Sequence, residues 1–131
     1  MREIKFRAWD RNTETLCNVA RIDWSIGFDC HPAIYLVDRG WVTHSSDYIL
    51  EQFTGLLDKN GREIYEGDCC AVTDPYNGAT AGPARVMFSY EYVGGWVLTS
   101  DGENRLNMGT RTQHVAVIGN IHENPELLEE R

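Results

Sequence analysis

No apolar run in this sequence approaches the roughly 20 residues that a membrane-spanning helix needs. The opening residues, Met1-Arg2-Glu3-Ile4-Lys5-Phe6-Arg7, lack the apolar core of a secretion signal, so the expected location is the cytoplasm. Positive charge is scarce. Twelve Lys and Arg stand against 20 Asp and Glu, for a net charge of −8. Affinity for nucleic acid comes largely from basic side chains neutralising phosphates, so duplex nucleic acid is not an expected partner. The same sign disfavours anionic membrane surfaces. The densest basic group, Arg2, Lys5, Arg7 and Arg11, lies in the first expected hairpin and most simply forms a solvated strand face.

The signatures of common chemistries are missing too. There is no Cys-x-x-Cys, no Gly-x-Ser-x-Gly elbow and no phosphate-binding loop with its lysine. His31, His44, His114 and His122 show no zinc spacing, and Cys30-His31 is the one close Cys–His pair. No catalytic, cofactor-binding or metal-ligating residue is therefore assigned, and no enzyme activity or cofactor is expected. Cys17, Cys30, Cys69 and Cys70 are read as reduced thiols. Cys69 and Cys70 are adjacent on an expected strand, so their side chains point to opposite faces and are not expected to pair.

What is present is β-patterning. The chain length suits a single domain over residues 1–131. Ile4, Phe6 and Ala8 alternate with Lys5, Arg7 and Trp9, which predicts a half-buried strand. Asp10 to Thr13 is turn chemistry, and Leu16 to Ile22 returns with an imperfect alternation that leaves room for a bulge. Residues 23–47 are the hardest to read and the expected place for a mobile loop. Within them Ile34 to Val37 is β-prone, Arg39-Gly40 is a turn, and Trp41-Val42 begins a short strand. Ser45-Ser46-Asp47 can cap a short helix through Ile49, Leu50 and Phe53, although a strand fits the same segment.

Asn60-Gly61 marks a tight reversal. Gly67-Asp68 enters an apolar strand at Cys69 to Val72, as at the mouth of small SH3-like barrels, with the Asp68 carboxylate expected to accept backbone N–H bonds. Asp74 to Ala84 reads as a long loop. Arg85 to Tyr90, Trp96 to Leu98, Arg105 to Met108 and His114 to Ile118 read as strands, the last covered on both faces. Asn124-Pro125-Glu126 predicts a short C-terminal helix docking through Leu127 and Leu128. The expected fold is mainly β: a small SH3-like barrel-type sheet with an N-terminal hairpin and a short C-terminal helix.

Three phrases carry a family resemblance. They are Met1 to Asp10, then Gln52-Phe53-Thr54-Gly55-Leu56 with Asp58 to Gly61 and Glu63 to Asp68, then Val117 to Ile121 with Glu123 to Leu128. Together they resemble the YopX family of phage and prophage proteins. The resemblance implies a small, β-rich, cytoplasmic, mobile-element-encoded protein that assembles into homo-oligomers, and it supplies no catalytic residues. The expected function is a non-enzymatic interaction or assembly module. The expected partners are further copies of the chain and an unidentified phage or host protein. A nucleic-acid-associated role through the basic hairpin and an acidic inhibitor of a host protein are the alternatives. Interface candidates are Lys5, Arg7, Trp9, Tyr65, Leu127 and Leu128. Trp9 alternates onto the face of Lys5 and Arg7, where an aromatic ring can anchor a contact. Structural turn residues are Asn60, Gly61, Gly67 and Asp68.

Overall fold

A computed structural model describes residues 3–28, 31–42, 45–74, 76–89, 95–99, 105–107 and 114–126. Two compact units divide the chain, residues 1–52 and 53–131. The described residues build eleven strands: β1 Phe6–Asp10, β2 Thr15–Phe28, β3 His31–Leu36, β4 Gly40–Val42, β5 Tyr48–Leu57, β6 Glu63–Tyr65, β7 Asp68–Thr73, β8 Thr80–Ser89, β9 Gly95–Thr99, β10 Arg105–Asn107 and β11 Val115–Asn120.

In the first unit the order is β4-β3-β2-β1-β5, all antiparallel. Asp10 ends β1, and its Oδ1 accepts the N–H groups of Asn12 (2.8 Å) and Thr13 (3.3 Å), which turns the chain into β2. The expected bulge falls in β2, where the register with β3 shifts between Val19 and Arg21. The segment expected to hold a loop is largely strand. β2 runs on to Phe28, and β3 and β4 form a hairpin whose Gly40 takes a φ of +80°. Pro32 interrupts the pattern without ending the strand, because β4 pairs only with Ile34 to Leu36 and asks no N–H of Pro32. A 3-10 turn, Ser45–Asp47, leads into β5. Pairing of Tyr48–Gln52 with β1 decides this segment as strand, not helix. The core gathers Ala8, Cys17, Ile34 and Leu36, with Val19, Ile22, Val42, Tyr48 and Leu50 packed against it.

In the second unit the later half of β5 pairs with β6, and a five-stranded antiparallel sheet runs β10-β9-β8-β7-β11. Its core is Ile64, Cys70, Ala84, Val86, Leu98, Val115 and Val117. The loop expected over Asp74 to Ala84 is shorter, since β8 begins at Thr80 and pairs with β7. β11 is not covered on both faces. Val115 and Val117 are buried while Ile118 is 47% exposed.

Two expectations of the fold are corrected. Among the described residues no barrel forms: the terminal strands of each sheet order, β4 with β6 and β10 with β11, are not neighbours, so both sheets are open as described. The Gly67-Asp68 cue is local, whereas closure requires first and last strands to pair. The C-terminal helix is not seen among the described residues. Ile121 to Glu123 form a turn, Glu126 is helical, and the rest of the expected helix, Leu127 onward, lies outside the described residues. No helix among the described residues is long and apolar enough to cross a membrane.

Candidate interaction surface

Period-two geometry sends Ile34 and Leu36 into the first unit's core and Tyr35 to the opposite face. The register then lines up Arg21 on β2, Tyr35 on β3 and Trp41 on β4. The Tyr35 and Trp41 rings meet edge to face, with centroids 5.3 Å apart. The Arg21 guanidinium sits over the Tyr35 ring at 5.5 Å, within cation–π range. Trp41 is 46% exposed, and the same strands and their connection carry Trp24 at 71% and Val37 at 65%. Exposed apolar side chains of this size gathered on a few strands mark contact surfaces more often than isolated ones do.

The residues singled out from sequence are placed differently. Trp9 is only 7% exposed, set in register between Leu16 and Ile49, so it is not a surface anchor. Its strand, β1, lies between β2 and β5, flanked on both sides, and the alternation with Lys5 and Arg7 does not expose it. Arg7 is buried as well, and its Nε donates to Glu51 Oε1 at 2.9 Å. Lys5 Nζ lies 3.3 Å from Glu3. Tyr65, in the second unit, is half-buried and packs on Phe53 with ring centroids 5.4 Å apart. Leu127 and Leu128 lie outside the described residues. Within the first unit, Lys5, Arg7 and Trp9 thus do not form an exposed patch.

Gly61 adopts a φ of +81° and Gly67 one of +86°, the left-handed region that glycine enters at little cost. Asn60 keeps a negative φ and donates its N–H to Asp58 Oδ1 at 2.8 Å. Asp68 Oδ2 accepts the Tyr65 N–H at 2.8 Å, the backbone contact expected at the strand entry.

Buried polar groups are used to fix the backbone. Burial pushes the Asp10 carboxyl up, but hydrogen bonds from Thr13, Asn12 and Arg39 outweigh it and hold the carboxyl at about 2. Arg39 contacts Asp10 Oδ2 and also reaches Tyr48 and Thr15, and its guanidinium is held firmly charged, through Tyr48 first and Asp10 second. Burial pushes the Cys69 thiol up to about 11 and the Cys70 thiol to about 12, with Asp68 adding to both. Both are therefore thiols, not nucleophilic thiolates, near neutral pH. Among the described residues no three His, Cys, Asp or Glu side chains converge as a metal site would require.

The sequence model described as YopX protein matches residues 5–129. The chain belongs to the YopX family. A solved relative supports the same fold: the crystal structure of protein EF1440 from Enterococcus faecalis is similar to this YopX chain, with a TM-score of 0.70 and 29% identity. The similarity covers 98% of this chain and 100% of that one. No curated protein matches the chain.

Sequence reasoning singled out Trp9 and Tyr65 among the aromatic residues and missed this row on the YopX chain. The usable signal was the spacing of Ile34, Tyr35 and Leu36. Two aliphatics two residues apart claim the core face and leave the tyrosine between them outside.

Proposed function

We propose that this YopX-family chain is a non-enzymatic interaction or assembly module, phage- or prophage-derived, that associates with further copies of itself. The observation that carries this reading is the Arg21–Tyr35–Trp41 row, in which Arg21 and Trp41 are exposed and Tyr35 is half-buried between them. Planar side chains already held against one another lose little conformational freedom when a partner covers them, which is why aromatic and arginine residues dominate contact energetics. A C2 interface uses one such patch twice, so a single row suffices for two chains.

Association through a nucleic acid has less support. Two basic residues of the N-terminal hairpin face carboxylates: Lys5 lies beside Glu3, and Arg7 is buried against Glu51. The net charge of −8 opposes phosphate contact as well. Light scattering on the purified chain tests the proposal. At micromolar concentration the expected mass exceeds the 14.9 kDa of one chain. A particle of one chain across the whole concentration range would refute self-association.

A further inference from the structure

An open sheet has edges, and each edge offers unpaired N–H and C=O groups to any other strand. The described residues end the two sheets with β4, β6, β10 and β11. The first three contain three residues each as described, too short to template a stable ladder. β11 has six, Val115 to Asn120, rich in β-branched residues. It is the edge strand with the most to offer a second copy, since two antiparallel β11 strands about a twofold axis would be self-complementary.

That edge is occupied. On the side of β11 away from β7, the Val115 carbonyl accepts the Lys59 N–H at 2.9 Å, and the Val117 N–H donates to Asp58 Oδ2 at 2.9 Å. Asp58 is held for this by its own turn. Its Oδ1 accepts the N–H groups of Asn60 (2.8 Å) and Arg62 (2.9 Å), its N–H donates to the Arg62 carbonyl, and its carbonyl accepts the Gly61 N–H. The two carboxylate oxygens have separate tasks: Oδ1 shapes the turn, and Oδ2 satisfies the strand. A register shift between Val117 and Gly119 disturbs the same strand further along, a second device that spoils edge pairing.

We infer that the Asp58–Gly61 turn is a guard on the free edge of β11, closing it to strand addition by a second copy of this chain. This goes beyond the self-association proposed above, which uses the first unit's exposed row and not this edge. Asp58→Asn isolates the guard, because the amide keeps one oxygen for the turn and presents an NH₂ where Val117 needs an acceptor. Lys59→Pro does so independently. Lys59 is the second residue of a four-residue turn, where proline is well tolerated, and the change removes the N–H that meets Val115.

The test is the mass of folded variants against wild type at matched concentrations, with folding verified by a cooperative melt. Each variant is expected to gain mass with concentration beyond wild type, at least doubling it. Adding Ile118→Lys, which puts a charge on an exposed position of β11, is expected to return the mass to the wild-type value. Folded variants that keep the wild-type mass would overturn the inference, as would association that Ile118→Lys leaves unchanged. Wild-type mass alone reports on self-association through the aromatic row; the difference between variant and wild type reports on the guard.

Discussion

At the scale of single residues, the chain spends its buried polar groups on backbone geometry. Asp10, Asp58, Asp68 and Asn120 each accept backbone N–H groups where a strand begins or ends. This makes stability depend on keeping carboxylates ionised. The Asp10 carboxyl falls from 3.8 to about 2 on folding, and hydrogen bonds from Val117, Arg62 and Asn60 lower that of Asp58 despite the opposing effect of burial. Between those two values the unfolded chain takes up a proton that the folded chain refuses. Stability from Asp10 is therefore complete above the unfolded value and is lost as pH falls through about 4 to 2. Urea midpoints measured down this range should fall, and Asp10→Asn should flatten the fall. An unchanged slope would contradict the assignment. Asp68→Ala takes the acceptor from Tyr65 N–H and should cost about 1–3 kcal/mol in urea unfolding. Arg7→Met removes the guanidinium from Glu51, whose side chain is 3% exposed. The expected loss is about 3–5 kcal/mol.

At the scale of elements, what could be read from the sequence was what local chemistry decides. The turn at Asp10, the reversal at Asn60-Gly61 and the strand entry at Gly67-Asp68 each rest on residues within a few positions, and each is present. The Asn-Gly reversal differs in detail: only Gly61 has a positive φ, so Asp58, not Asn60, organises the loop. Gly61→Ala should accordingly cost about 1–2 kcal/mol, read as a lower melting temperature. Long-range pairing was not legible. The segment Tyr48–Gln52 carried a helix-cap signal and apolar residues at helical spacing, and only its register with β1 makes it strand. Residues 23–47 were hard to read because Pro32 and the Arg39-Gly40 turn interrupt a short hairpin. Ile118 looked covered because an apolar run cannot announce which face of its strand the rest of the chain will leave open.

At the scale of the whole molecule, two open antiparallel sheets replace the barrel that the sequence suggested, and the surface that results differs from the one first expected. The N-terminal basic strand, with Arg7 and Trp9, is turned inward, while Trp24, Val37 and Trp41 are left out. Which aromatic residues face water depended on sheet order, a property of pairing across tens of residues. The exposed row makes self-association the central claim. Light scattering on wild type beside an Arg21→Ser, Trp41→Ser double variant tests it most directly. The wild type should hold more than one chain per particle at micromolar concentration, and the folded double variant should drop to one. Equal masses for the two would contradict the account.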